Sequence, residues 1–445
     1  MQADAALSFL QSLHRQVFLT RGFLRRRKNH LAYRIAGLPT AIRHLWRRNC
    51  NSAAAIRLAY TSRFWRPRTV AETFDLVLAL LLWPIALLVL SCLFLWKNGR
   101  AVAAQFGRPL HRQLLDHLRL YVAAGILPPM YYVYELHQQP RRRHARNFLL
   151  RSETKGGVFH IVNREQRRIG SIVSDKAAFA EHFRRHGIPT VPTLAVFRSG
   201  RMISEIQPEG FRTDLFVKPV VGKGGRGGQR WDLVAPDAYR NAQGLVLSQD
   251  ELFDRWLKKS VRKPLLVQPR IVNHADLRLL NNGALSTVRV LTCLDECDRP
   301  ELVGAIMRMA IGSNTVVDNA HAGGIAAAVG LETGRLGVAS NLGTSSGVGW
   351  VERHPTSGAQ IEGVKLPHWQ SLRTLVEQAH STIQGAVLLG WDVAITSDGP
   401  ILVEANGGPG LEIMQRVNRR GFSRERLGQL LAHHLAGSQE EAQAA

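Results

Sequence analysis

Apolar and polar positions follow one pattern up to about residue 150 and another beyond it. In the first stretch, residues 76–96 (LVLALLLWPIALLVLSCLFLW) run for 21 positions without a charge. As a helix this segment is roughly 31 Å long, about the thickness of a bilayer's hydrocarbon core. It shows no polar face, which a helix in a small soluble domain rarely lacks. It also begins too late in the chain to be a secretory signal peptide. Trp83-Pro84 near its middle predicts a break or kink. A second apolar stretch at 120–134, split by Pro128-Pro129, reads as a return arm or an interfacial piece. Beyond 150 the pattern changes to short apolar runs separated by turn residues. Strands are predicted at 215–219 and 230–234, and at 265–272 with an interruption at Gln268-Pro269. A further apolar strand carries Arg308, and a pair at 391–396 and 401–406 flanks the turn Ser397-Asp398-Gly399.

Charge sharpens this division. The 445-residue chain has 58 Lys and Arg against 34 Asp and Glu, a formal charge of +24. Residues 1–150 hold 23 basic and 5 acidic side chains, a balance of +18, so the remainder carries only +6. Residues 1–73, with 14 basic and two acidic residues, interleave Phe9, Phe18, Phe23, Leu24 and Trp46 among arginines. That mixture suits an anionic lipid surface, and no helix-turn-helix, zinc-finger or RNA-binding signature accompanies it to favour nucleic acid. Basic residues flank the apolar segment on both sides, Arg141-Arg142-Arg143 on the far one. Both ends therefore favour the cytoplasmic side, and a re-entrant hairpin fits better than a single pass. Cys50, Cys92, Cys293 and Cys297 are too few and too scattered for a disulfide scaffold, which fits a reducing compartment.

The second stretch carries the candidate chemistry. Residues 222–228 contain five glycines in seven positions between two strands. Glycine lets backbone N–H groups curl around an anion, and Lys218 lies on the strand before the loop. No Ser or Thr follows the lysine of this loop and no helix follows the loop, so it is neither a Walker loop nor a dinucleotide fingerprint. Far downstream, Glu404 and Asn406 are two apart on one strand and face the same way. Two registers are open for Asp392. A two-residue Asp-Gly turn pairs it with Ala405, whereas a three-residue turn with left-handed Gly399 pairs it with Glu404, and the latter is preferred. Three oxygen ligands on one face then suit Mg²⁺. A lone carboxylate near a hairpin is ordinarily a solvated surface group, but a carboxylate inside an apolar strand is costly without a partner.

The order of these pieces resembles the ATP-grasp ligases. The resemblance rests on Ser174-Asp175-Lys176 before a helix ending in HGIPTVPT, on FVKP with its glycine flap, on QPRI, and on Arg308 followed by Asn319-Ala320-His321-Ala322-Gly323-Gly324. WDVA and GPILVEANGGPG close the series. The last two are similar to the ribosomal-protein glutamate ligase type. NNGALSTVRVLTCLD and PPMYYVYEL resemble the sugar-transfer-associated branch found with cell-surface polysaccharide machinery. The resemblance implies an α+β fold in which two lobes clasp ATP, here preceded by a basic helical, membrane-associated region. The implied organisation is a basic helical region at 1–73, a membrane segment at 74–96, a helical connector at 97–150, a catalytic region at 151–435 and a disordered tail at 436–445.

The resemblance also assigns roles. Lys176, Lys218 and the flap glycines Gly224, Gly225 and Gly227 hold the phosphates, and Gln268, Pro269, Arg270 and Ile271 hold the adenine. Asp392, Glu404 and Asn406 hold Mg²⁺. Arg308 meets the transferred phosphoryl group, and Asn319 helps to position metal or phosphate. Asp276 stands in for the acid that binds ribose in relatives. The implied activity is ATP-dependent joining of a carboxylate to an amine, through an acyl phosphate, with release of ADP and phosphate. The implied partners are an amino acid or amino sugar, a uronic acid or glycan, and an anionic membrane surface at the cytoplasmic face of the inner membrane. A sugar phosphotransferase on the same fold and a non-catalytic nucleotide-binding protein are the alternatives.

Overall fold

The computed structural model describes residues 31–42, 51–67, 69–163, 166–203, 211–222, 227–313, 315–316, 318, 323–343 and 348–444. It divides into two units, residues 1–158 and 159–445, close to the division in the sequence pattern.

The first unit is helical. Thr69 caps the helix Val70–Phe94, its hydroxyl accepting from the Glu72 amide at 3.2 Å. The helix runs without reversal through Pro84, passes a π-helical turn at Leu95–Gly99, and continues as Arg100–Phe106 to a left-handed Gly107. A break at Trp83-Pro84 is thus not found. The 120–134 stretch does double back. Helix Leu110–Ala124 ends at left-handed Gly125, and helix Pro128–Val133 follows. Tyr121 stacks on Trp83 and Tyr132 on Phe94, so this arm packs against the long helix. The long helix turns Asp75, Ala79, Leu87 and Ser91 inward and exposes Phe74, Val77, Leu81, Ile85, Leu88, Val89 and Trp96. This arrangement largely inverts that of a soluble bundle, with polar or small groups inside apart from Leu87 and large apolar ones outside. Within the unit, buried Glu153 pairs with the Arg57 guanidinium at 3.0 Å.

The second unit contains, among the described residues, two seven-stranded antiparallel sheets. The first has the order β2-β1-β7-β3-β4-β5-β6, with β1 at Ala195–Arg198, β2 at Arg201–Ile203, β3 at Leu215–Pro219 and β4 at Gln229–Ala235. β5 spans Ala238–Asn241, β6 Val246–Ser248 and β7 Leu265–Pro269. Its core gathers Phe197, Phe211, Leu215, Val217, Trp231 and, from the helix Gln249–Ser260, Trp256.

The second sheet has the order β12-β11-β10-β9-β8-β13-β14. β8 is Thr287–Leu294, β9 Pro300–Met309, β10 Ile325–Val329, β11 Leu336–Ser340, β12 Trp350–Val351, β13 Leu388–Thr396 and β14 Gly399–Asn406. Helix Trp369–Ser381 packs Leu372, Leu375, Val376 and Ala379 into the same core as Val290, Met307, Trp391 and Val393. The last described element is the helix Arg426–Ala444.

Candidate active site

The β13–β14 hairpin sets the register on which the site depends. Thr396 pairs with Gly399, so the turn holds two residues, Ser397 and Asp398, and not three. A bulge then inserts Val403 on β14, and the pairing shifts so that Asp392 lies opposite Glu404. The expected pair forms, but through the bulge and not the turn. On its other side β13 pairs with β8, placing Arg289 opposite Asp392. Arg289, Asp392 and Glu404 therefore stand in one row across three strands, with side chains on one face.

Asp392 is buried and held by a fork. Nη2 of Arg289 donates to its Oδ2 at 2.9 Å, and Arg289 Nε donates to its Oδ1. Arg308 on β9 adds an ion pair from Nη2 at 3.0 Å. Burial alone would raise the Asp392 carboxyl. The two guanidinium groups outweigh burial and hold it far below the usual range. Arg308 also donates from Nε to Thr287 Oγ1 at 3.1 Å and reaches Asp318 at 3.5 Å. Burial opposes its charge, but Asp318 and Asp392 prevail and shift it upward. Asp318 accepts from the Thr287 amide at 2.8 Å and from the Thr287 hydroxyl at 2.6 Å. Burial nonetheless pushes its carboxyl up.

Two lysines reach the same row, Lys218 from the first sheet and Lys176 from a helix. Asp175 caps the helix Lys176–Arg185, accepting from the amides of Ala177 and Ala178, and so fixes Lys176 at its first position. Lys176 Nζ donates to the Gly222 carbonyl at 3.0 Å and lies 3.8 Å from Glu404 Oε2. Lys218 on β3 is 8% exposed. Burial, aided by the Lys176 charge, lowers it to about 8, while Glu404 and Asp392 oppose the fall. Glu404 is pushed up by burial first and by the Asp392 charge second, with both lysines pulling the other way.

A pair of carboxylates, one of them raised by the other's charge, is a place where a divalent cation lowers the energy. With the Asn406 amide oxygen on the same face of β14, the donors are hard oxygens of the kind Mg²⁺ prefers. The third donor is an amide, and among the described residues no three His, Cys, Asp or Glu gather at a metal-binding spacing. The set thus fits Mg²⁺ only with additional oxygens from elsewhere.

The remaining sequence candidates divide. β7 pairs through Gln268, opposite Phe216, and Pro269, opposite Leu215, and ends there, short of the expected 272. The Gln268 amide group is spent on the Val191 carbonyl at 3.0 Å. Arg270 donates its N–H to Asp214 O at 2.8 Å, and its guanidinium is 3.2 Å from Asp214 and from Asp232. The Arg270 amide is therefore committed, leaving the half-buried Pro269–Ile271 edge with its carbonyls. Gly227 has φ +83°, with Pro219 beneath it, and Asp276 is exposed beside His274. Gly224, Gly225, Asn319 and His321 lie outside the described residues, as does the block at 1–30. Arg289, Thr287 and Asp318 were not singled out from sequence. The available signal was an arginine in the apolar run STVRVLTCL, the same feature that marked Arg308.

A family model described as sugar-transfer associated ATP-grasp matches residues 160–430, more than half of the chain. The chain belongs to this ATP-grasp family. Its two-sheet unit is the mixed α/β ATP-grasp fold; Lys218, Asp392 and Glu404 come from its two sheets and Lys176 from a helix. Solved structures of other ATP-grasp proteins are similar at low identity. The D-alanine–D-alanine ligase from Bacillus anthracis complexed with ATP is 12% identical, with 61% of this chain and 69% of that chain covered and a TM-score of 0.37. For the D-alanine–D-alanine ligase from Coxiella burnetii the values are 13%, 62%, 61% and 0.37. For the N5-carboxyaminoimidazole synthase from Aspergillus clavatus, complexed with ADP and 5-aminoimidazole ribonucleotide, they are 13%, 61%, 53% and 0.33. The chain thus spans little more than half the length of some of these proteins. No curated protein matches it.

Proposed function

We propose that the second unit is an ATP-dependent carboxylate–amine ligase that works through an acyl phosphate and releases ADP and phosphate. The observation that carries this reading is Lys176 lying 3.8 Å from Glu404, in the row where Arg308 pairs with Asp392, with the charges of Glu404 and Asp392 acting on buried Lys218. A carboxylate does not condense with an amine at neutral pH, because its leaving group would be oxide. Phosphorylation turns that leaving group into phosphate. The protein's part is to neutralise phosphate charge and hold the reactants in line, which cationic side chains on two sheets are placed to do. Lys176, tethered to the Gly222 carbonyl at the start of the glycine loop, and Lys218 would bind the phosphates. Arg308 would meet the transferred phosphoryl group. Asp392, Glu404 and Asn406 would hold Mg²⁺, which when bound would supply positive charge to offset negative charge developing on the phosphates.

The family description supports a sugar-linked substrate, so the reading names a uronic acid or glycan carboxylate and an amino acid or amino sugar, in cell-surface polysaccharide modification. The reading also places the enzyme at the cytoplasmic face of a membrane. In its support, one helix, Val70–Phe106, is long and apolar enough to cross a bilayer by length and composition. Its exposed side chains are large and apolar, and basic residues flank it.

The test incubates the detergent-purified chain with ATP, Mg²⁺ and panels of amino acids and uronic acids, and measures phosphate release. A ligase makes ADP formation depend on both a carboxylate and an amine, and Lys218→Met abolishes it. ADP formation with a sugar and no amine would mean a phosphotransferase. No turnover with any pair, alongside nucleotide binding, would mean a non-catalytic protein.

A further inference from the structure

A cavity of about 190 Å³ lies at the start of β4 and takes no part in the site described above. Its lining includes Gly228 and Gln229, where the glycine run ends, Asn241 and Gln243 at the turn after β5, and Arg255 of the helix Gln249–Ser260. Among the described residues that line it there is no Asp or Glu, and a second lining guanidinium, that of Arg230, is already paired with Asp232 at 2.8 Å.

Sheet register sets this cavity apart from the face that carries Lys218. Val217 and Lys218 are neighbours on β3, so their side chains point to opposite faces. Val217 packs with Trp231 and Trp256 in the core against the helix Gln249–Ser260, so Lys218 points the other way. Gln229 lies opposite Val217, and Asn241 opposite Trp231, which puts both on the helix side.

The polar groups on that side are left as donors. Asn241 Oδ1 accepts from the amides of Gln243 and Leu245 at 3.0 and 2.9 Å, and Gln229 Oε1 accepts from the Trp231 indole at 3.1 Å. A backbone or indole N–H can only donate, so each carboxamide has its oxygen committed and its NH₂ group left over. Arg255 is exposed and, among the described residues, makes no hydrogen bond or ion pair. Arg255, Lys259 and Lys263 follow at intervals of four, along one side of the helix and the turn beyond it. Lys259 is lowered by burial first and by the Arg255 and Lys263 charges second, so the three cations crowd one another. Lys263 Nζ lies 3.9 Å from where a Cβ on Gly227 would sit, next to the rim of the cavity at Gly228.

We propose that this cavity is an oxyanion site, separate from the face that carries Lys218, for a phosphate or carboxylate group on a small molecule no larger than one sugar ring. Arg255 supplies the charge, and the NH₂ groups of Gln229 and Asn241 supply neutral hydrogen bonds to the remaining oxygens. A bound anion also relieves the crowding of the three cations. Because Gly228 and Gln229 end the glycine run, the occupant holds that end of the loop. The site stands whether or not the ligase reading does.

The test is calorimetric titration of the full chain in detergent, without nucleotide and at constant ionic strength. The probes are inorganic phosphate, D-glucose 6-phosphate, D-glucuronate and uncharged D-glucose. At least one anion should bind more than tenfold tighter than glucose. Glucose 6-phosphate binding above free phosphate identifies a sugar ester, equal binding of the two identifies the bare phosphate group, and glucuronate as the tightest identifies a carboxylate. Arg255→Gln breaks no bond within the chain and should melt with the wild type, yet lose about tenfold in affinity for that anion, the effect of one charged hydrogen-bond partner at an exposed position. Lys218→Met should keep the wild-type anion affinity. Anions that bind no better than glucose overturn the site. So does binding that survives Arg255→Gln but is lost in Lys218→Met, which places the anion on the opposite face of the sheet.

Discussion

Replacing Arg289 by methionine keeps the aliphatic stem but removes the fork that holds Asp392. Asp392 is 2% exposed and is bound by Arg289 from two nitrogens and by Arg308 from one. Removing one partner of a buried ion pair costs about 3–5 kcal/mol, and because Arg308 stays in place the lower figure, about 3 kcal/mol, applies. In a unit of this size each kcal/mol moves the melting temperature by roughly 2–4 °C, so a fall of about 6–12 °C is expected. The assay is thermal unfolding of the full chain at neutral pH, without ATP or divalent cations, so that loss of stability is read separately from loss of activity. Arg289→Lys should fall between wild type and methionine, since it keeps the charge but cannot bind both oxygens. Asp392→Asn should cost more than Arg289→Met, because it strands two guanidinium groups. The Arg289→Met/Asp392→Asn double variant should be about 1 kcal/mol or more better than the sum of its parts. A methionine variant that melts with the wild type, or strict additivity in the double variant, would refute the argument that this row is an energetic unit.

Two further outcomes follow from the same core. His380, 1% exposed, faces Thr292 Oγ1 at 2.7 Å through Nδ1 and the Ala386 carbonyl at 2.7 Å through Nε2, and burial lowers it from 6.5 to about 4. The unfolded chain therefore binds the extra proton first. Stability is full above pH 6.5 and is lost as pH falls toward 4, by about 3 kcal/mol, and His380→Gln should flatten that part of a stability-against-pH curve. Gly390 on β13 has no room for a side chain, since a Cβ would sit 2.7 Å from Pro409 Cβ. Gly390→Ala should lower stability by about 1–3 kcal/mol in denaturant unfolding, and an unchanged midpoint would mean that the segment after Asn406 gives way freely.

Much of the second unit was legible because its strands are short, apolar and punctuated by glycine and proline. LFVKP, RWDLV and the 391–396 and 401–406 pair all appear where alternation and turn chemistry put them. Spacing along one strand also placed Glu404 and Asn406 on a common face. The long apolar helix was legible as an element but not in its course. Proline removes one hydrogen bond and crowds one turn, and the turns flanking Pro84 are sound enough for the helix to continue. The hairpin shows where local reading fails even when its answer stands. Counting from the turn requires three residues to bring Asp392 to Glu404, but the turn has two and the extra residue is Val403, four strand positions away. Nothing in a stretch of valine, leucine and isoleucine marks which of them bulges, because a bulge is decided by the partner strand.

The same reason hid the arginine clamp. Arg289 and Asp392 are 103 positions apart, and they meet because β13 inserts beside β8, with four strands of intervening sequence on the far side. Periodicity says that Arg289 points to one face of its strand, but only strand order says that a carboxylate waits there. An arginine in an apolar strand is affordable only with such a partner, so each one implies a buried acid not yet identified. Applied to the whole unit, that inference finds Asp318 and Asp392 for Arg308, and Asp392 again for Arg289.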